Sequence, residues 1–210
     1  MPEPDATNRQ TQWKRITYTV FAPIYDLVVW PLQRARKASI RLLDPRPGER
    51  VLIVGAGTGQ DLRYLPAGLH MTAIDITPVM LSKLRRRAER LGLGVDPRVM
   101  DGHALEFPDA SFDAVILHLI LAVIANPVRC IQEVARVLRP GGRAIIMDKF
   151  VPDDAAVPLI LRLLDPVSNC LATRVTRKLG PILAGSGLEI VREEPGWFRG
   201  YYRIALVRKR

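Results

Sequence analysis

From Val51 onward, short apolar runs alternate with longer amphipathic stretches. VLIVG (51–55) is wholly apolar, the pattern of a strand buried on both faces inside a parallel sheet. HMTAID (70–75) reads as a second strand and VDPRVM (95–100) as a weaker third. SFDAVILHL (111–119) is a strong fourth and RAIIMDKF (143–150) a fifth. The intervening stretches carry helix signals. One helix starts near Gln60. A second, PVMLSKLRRRAERLG, has Thr77 as N-cap and Pro78 in its first turn, and ends at Gly92. A third, NPVRCIQEVARVLRPGG (126–142), is capped by Asn126 and stopped by Pro140-Gly141-Gly142. Strand and helix in alternation predict a parallel α/β sheet with right-handed crossovers.

The two ends of the chain depart from this alternation. LEIVREEP (188–195) and GYYRIALVRK (200–209) predict an antiparallel hairpin on the sheet edge. Between it and strand five, residues 151–186 read as helical, basic on one face and apolar on the other. Residues 9–43 read as helix in two or three pieces, broken by Pro23 and Pro31 because proline removes a helix hydrogen bond. DPRPGER (44–50) is a turn. The 210 residues suffice for one domain with a full core: a helical segment over 1–48 and a core over 49–210.

Composition narrows the class. The chain is 48% apolar and 25% charged, ordinary for a globular protein. No apolar run reaches the roughly 18–20 residues of a membrane span, and MPEPDATNRQ lacks the apolar centre of a signal peptide. The expectation is a cytoplasmic protein. Cys130 and Cys170 have no metal-ligand spacing, and His70, His103 and His118 form no zinc pattern, so no metal is expected. The net charge of +10 draws such a surface toward nucleic acid or acidic lipid headgroups, or serves solubility alone.

The candidate chemistry begins at Gly55, Gly57 and Gly59, just after strand one. In open parallel sheets, ligands bind beyond the carboxyl ends of the strands. Glycines there let the backbone turn tightly and approach a ligand closely. Asp75, ending strand two, can accept hydrogen bonds from both hydroxyls of a ribose. A nucleoside-containing ligand follows, although the glycines alone also fit a purely structural turn. The spacing is G-x-G-x-G, with Gln60 where a dinucleotide fingerprint has its last glycine, and there is no P-loop.

Four stretches, VLIVGAGTGQD, AIDITPVML, VMDGHALEFPDASFDAVILHLIL and EVARVLRPGGRAIIMDKF, resemble in this order the motifs of class I S-adenosylmethionine (SAM) methyltransferases. The resemblance spans about residues 50–150 and implies a Rossmann-like, mostly parallel seven-stranded sheet of order 3-2-1-4-5-7-6, with strand seven antiparallel. It implies that Gly55, Gly57 and Gly59 line the methionine moiety of SAM. Asp75 then binds the ribose, with Ile76 and Met80 beside the adenosine. Asp101 meets the adenine amino group, with Gly102 and His103 alongside. The family often has an acid two residues before the first glycine, where this chain has Ile53, so a group that helps orient the aminoacyl end is missing.

FAPIYDLVVWP resembles the entrance helix of two methyltransferase groups, the phosphatidylethanolamine N-methyltransferases and the ubiquinone/menaquinone C-methyltransferases. Tyr25 and Asp26 match its Tyr-Asp pair, which makes Tyr25 a candidate for cradling the acceptor. HLIL (118–121) stands where enzymes of DNA adenine or glutamine carry Asn/Asp-Pro-Pro-Tyr, which argues against those substrates without excluding every RNA enzyme. Aromatic faces stabilise quaternary ammonium groups, and Tyr18, Tyr25, Trp197 and Tyr201 are candidates. His118, also counted with the cofactor-binding residues, is either a base, a substrate-positioning group or a packed residue. Asp148 and Lys149 face the expected cleft, where Asp148 either meets an ammonium or forms an ordinary ion pair. His70 reads as structural. Trp13, Lys14, Arg15, Tyr18, Phe21, Trp30, Arg34, Arg36 and Lys37 form either an interfacial helix pair for an anionic bilayer or a core face with solvated bases.

The leading expectation is SAM-dependent N-methylation of phosphatidylethanolamine toward phosphatidylcholine, by a cytoplasmic protein peripherally attached to an anionic membrane. The alternatives are a quinone-type C-methyltransferase, a nucleic-acid methyltransferase or binding protein, and a SAM-binding fold without catalysis, the last prompted by Ile53.

Overall fold

Residues 25–151, 177–197 and 202–210 are described by the computed structural model. A single helical turn, Tyr25–Val28, and a 3-10 turn, Trp30–Leu32, lead into α1, Gln33–Leu43. Then follow β1 (Arg50–Val54), a 3-10 turn (Gln60–Tyr64), β2 (His70–Asp75), α2 (Pro78–Leu91), β3 (Val95–Val99) and β4 (Phe112–His118). The chain continues through α3 (Pro127–Val137), β5 (Leu138–Lys149), the short α4 (Leu179–Leu183), β6 (Leu188–Trp197) and β7 (Tyr202–Lys209). The seven strands form one sheet in the order β3-β2-β1-β4-β5-β7-β6, as the resemblance implies. β1 to β5 run parallel to one another, and β7 is antiparallel to both β5 and β6.

The central strands are apolar on both faces because both faces are covered. Val115, Leu117 and Ile146 pack with Ile131 and Val134 of α3 on one side. Val51, Ile53 and Ile116 pack with Ile40 and Leu43 of α1 and Leu84 of α2 on the other. β1, β2 and β4 therefore end together, between those two layers.

Three sequence expectations change in detail. α3 stops at Val137 rather than running to residue 142. Leu138 is extended, fully buried and paired with Phe112, and the residue before Pro140 is disfavoured in helix. The helix expected near Gln60 is only a 3-10 turn, Gln60–Tyr64, entered from a left-handed Gly59. Thr77 occupies the N-cap position of α2 but makes no side-chain cap bond, whereas Asn126 Oδ1 accepts from Arg129 N at 3.0 Å. Trp13, Lys14, Arg15, Tyr18, Phe21, Tyr201, most of 151–186, and the side chains of Tyr25 and Trp197 lie outside the described residues.

Candidate functional site

A solvent-open cleft, about 730 Å³ with its open solvent space included, lies at the carboxyl ends of β1, β2 and β4, the expected place in an open α/β sheet. Gly55, Gly57, Asp75, Ile76, Met80, Asp101, Gly102, His103 and His118 all line it. Gly59 does not. Its backbone is left-handed (φ +74°), and a Cβ there would stand 2.9 Å from Leu84 Cγ, so it sets the approach of α2 to the loop instead of forming the cavity wall. Gly55 (φ +67°) does form the wall, where a Cβ would crowd Ile120 Cδ1 at 2.7 Å.

Asp75 is held from two sides. Its Oδ2 accepts from Gly57 N at 2.9 Å and its Oδ1 from Thr77 N at 2.8 Å. Burial pushes its carboxyl up, and the two amides oppose that shift. An ionised carboxylate offers about four lone-pair sites, so two remain for a diol. Asp101 is arranged differently. Its Oδ1 takes both His103 N (3.0 Å) and His103 Nδ1 (2.6 Å), which leaves Oδ2 without a hydrogen-bond donor among the described residues. Burial raises its carboxyl, but the His103 bonds outweigh this and the net direction is down. His103 Nε2 accepts from Asn126 N at 3.0 Å. The ring is thus in its Nδ1–H form, and it ties Asp101 to the start of α3.

His118 is not presented as a free base. Its Nδ1 lies 2.8 Å from Asp61 Oδ1 and its Nε2 lies 2.7 Å from Ser39 Oγ. A carboxylate can only accept, so Nδ1 carries the proton, and Nε2 is taken by the serine. Arg36 Nη1 closes the cluster on Asp61 at 2.6 Å. Burial alone would raise the Asp61 carboxyl; Arg36 and His118 reverse this and hold it far below the usual carboxylate range. Arg36, expected either at a bilayer or on a solvated face, is only 3% exposed. Charge pairing across the helix–turn contact has drawn it inward.

Asp148 and Lys149 also differ from expectation, since neither lines the cavity. Asp148 is fully buried, with Oδ2 accepting from Ala122 N and Oδ1 from Lys149 N, both at 2.8 Å. Its task is to hold the loop after β4. Arg177 donates to the carbonyls of Leu121 and Ile124 in the same loop. Leu119, at the cavity wall, has a left-handed backbone (φ +60°) that a branched residue rarely adopts, and these anchors oppose that strain. Ile120, Val123 and Ile124 complete the wall. Ile120 belongs to the HLIL stretch, whereas Val123 and Ile124 carry no motif of their own, although they follow the fourth strand at its ligand end.

The donor set fits S-adenosylmethionine. Asp75 has acceptor sites for a ribose diol, Asp101 Oδ2 can accept from an adenine amino group, and the loop glycines leave room for a close ligand. Ile53, in place of the frequent acid, is buried in the sheet core and offers the aminoacyl end no polar group.

Comparison with known proteins agrees. The methyltransferase domain family matches residues 52–146. The chain is 33% identical over 150 residues to a phosphatidylethanolamine N-methyltransferase of Cereibacter sphaeroides, covering 70% of this chain and 74% of the relative. It is 38% identical over 143 residues to a demethylmenaquinone methyltransferase of Tropheryma whipplei, covering 65% of this chain and 59% of the relative. Among solved structures, the [4+2]-cyclase SpnF superposes with a TM-score of 0.69 at 22% identity, covering 84% of this chain and 80% of the other. That likeness shows the fold alone.

Proposed function

We propose that this chain, which belongs to the class I SAM-dependent methyltransferases, methylates the amine of phosphatidylethanolamine toward phosphatidylcholine at an anionic membrane surface. When bound, SAM supplies a methyl group on a sulfonium that is already a good leaving group. The residues of this chain bind and orient. Asp75 and Asp101 fix the nucleoside end, and the wall formed by Leu119 to Ile124 bounds the space beside it. Proximity and alignment can then supply much of the rate. An alkylammonium must shed a proton before it attacks. His118 has Nδ1 on Asp61 and Nε2 on Ser39, so an amine would have to displace Ser39 to hand it a proton, and the side chain is assigned to positioning.

The observation that carries the lipid reading is an exposed stripe on the N-terminal elements. Leu27 and Trp30 are 77% and 63% exposed. Arg34, Lys37 and Arg41 follow them, also exposed, at near-helical spacing. Apolar and aromatic residues beside bases match the composition of interfacial helices on anionic lipid. No described helix is long and apolar enough to cross a membrane, so this stripe would bind at the surface. The similarity to a phosphatidylethanolamine enzyme supports the headgroup assignment. The similarity to demethylmenaquinone enzymes favours a second reading, methylation of a ring carbon in a quinone precursor.

The test is methyl transfer from labelled SAM into vesicles that contain phosphatidylethanolamine, phosphatidylglycerol and a demethylated quinone. Label in mono-, di- or trimethylated phosphatidylethanolamine is the expected result. Label confined to the quinone fraction overturns the headgroup assignment. No label, with SAM binding verified separately, overturns the lipid reading.

A further inference from the structure

The centre of the glycine loop is held by a residue far away in the chain. Thr58 is 1% exposed, between Gly57, whose amide bonds Asp75, and the left-handed Gly59. Its hydroxyl donates to Asp26 Oδ1 at 2.5 Å. Its carbonyl accepts from Arg87 Nη1 at 2.5 Å, and that nitrogen is also 3.1 Å from the hydroxyl. Arg87 Nη2 donates to Asp26 Oδ2 at 2.6 Å, closing a three-way cluster. The members come from the N-terminal turn, the loop and α2. Both carboxylate oxygens are used, and Asp26 is 39% exposed against 12% for Arg87.

None of its three side chains belongs to the described hydrophobic clusters, but the cluster acts on a segment that needs restraint. Gly55, Gly57 and Gly59 all have positive φ, and ordering glycine costs more backbone entropy than ordering any other residue. Fixing both the side chain and the carbonyl of Thr58 fixes the Thr58–Gly59 peptide and so limits the freedom of Gly57 beside it. The Gly57 amide, one residue upstream, bonds Asp75, the acid with open sites for the ribose. We propose that Asp26 and Arg87 are positioning residues of the cofactor site, acting through Thr58. Asp26 immediately follows Tyr25, so one carboxylate orders the cofactor loop and the entrance turn together. By linkage, whatever ligand orders one stabilises the docking of the other.

The experiment is calorimetric SAM binding by full-length Asp26→Ala, Arg87→Met, their double variant and Thr58→Val, with thermal unfolding of each. Thr58→Val keeps the shape and removes only the hydroxyl, so it decides the case if an Asp26 variant unfolds. The expected result is SAM binding roughly 5- to 50-fold weaker for Asp26→Ala and Arg87→Met, discounted for the exposure of Asp26. The double variant should be no weaker than the poorer single, as residues in one network are non-additive. Thr58→Val should move in the same direction, and Asp26→Glu should recover part of the affinity. SAM affinity within twofold of the parent, with or without a lower Tm, overturns the proposal. Fully additive losses in the double variant do so too. The readout is cofactor binding, so the identity of the acceptor has no bearing on it.

Discussion

Replacing Asp61 by alanine tests the charged cluster beneath the cavity. The carboxylate lies 2.6 Å from Arg36 Nη1 and 2.8 Å from His118 Nδ1, and the three side chains are 4%, 4% and 1% exposed in the order Arg36, Asp61, His118. Removing the acid takes away the counter-charge 2.6 Å from a buried guanidinium. Breaking such a buried pair costs about 3–5 kcal/mol, a large share of the roughly 5–15 kcal/mol by which a domain is stable. For a chain of this size, that lowers Tm by about 6–20 °C. Thermal unfolding followed by circular dichroism at neutral pH is the assay. Salt should not rescue the loss, because screening acts on exposed charges. The paired change Arg36→Met with Asp61→Leu should cost less than Asp61→Ala alone, since apolar replacement of a buried pair is often near neutral. What remains is the unsatisfied His118 donor, about 1–3 kcal/mol. The pH dependence has a fixed sign. The folded carboxyl titrates below its unfolded value, so the unfolded chain takes up the proton first as pH falls. The contribution of Asp61 is complete above about pH 5 and is lost progressively on acidification. The difference in Tm between parent and Asp61→Ala must therefore shrink toward low pH. A drop of less than about 2 °C at neutral pH, or a difference that widens in acid, refutes this account.

Three further outcomes are expected. Asp75→Asn, which has one acceptor oxygen for two backbone amides and a diol, should weaken SAM about a hundredfold by calorimetry with the circular dichroism spectrum retained; a change under threefold would remove Asp75 from the site. His118→Asn should lower Tm but cost less than tenfold in kcat, since a general base contributes roughly 10²–10⁴; a larger kcat loss at unchanged Tm would restore the base role. Arg34→Gln, Lys37→Gln and Arg41→Gln combined should reduce sedimentation with phosphatidylglycerol vesicles about a hundredfold, at about 1 kcal/mol per base, and unchanged binding would place the membrane contact elsewhere.

The parallel core was legible because its strands are buried on both faces. VLIVG and AVILHL carry no polar side chain until the ligand end, and few other structures accept such runs. The cavity acids were legible by position, since each closes a strand or directly follows one. The charged clusters were harder to read because their members are brought together by topology alone. Arg36 meets Asp61 across α1 and a turn, and Asp26 meets Thr58 and Arg87 from the far end of the chain. One local signal existed for Arg36. It shares the helical spacing of Ser39, Ile40 and Leu43, all buried, which places it on the inward face of α1 and not beside Arg34 and Lys37. Asp26 had no such signal beyond its place after Tyr25.

The two families of charged contact divide the labour of the site. Asp75 and Asp101 each spend part of their hydrogen-bonding capacity on their own backbone and keep the rest for a ligand. Asp61 and Asp26 spend theirs on cations and neighbouring side chains, and in doing so fix the elements on which the first pair depends. Asp61 ties α1 to the turn after the glycine loop and to the end of β4. Asp26 ties the entrance turn to the loop itself. An acid that serves as a fastening must stay charged over the working range, and Asp61 and Asp26 are both pulled below the usual carboxylate range. Asp75 is pushed the other way by burial, because its remaining lone pairs face a cavity instead of a cation. A hydroxyl-bearing ligand that replaces lost water at Asp75 relieves that cost, so SAM should bind the ionised form of Asp75 and pull its carboxyl back down. Proton uptake measured by calorimetry in buffers of different ionisation enthalpy tests this: near the titration of Asp75, SAM binding should release protons, and net uptake there would contradict it.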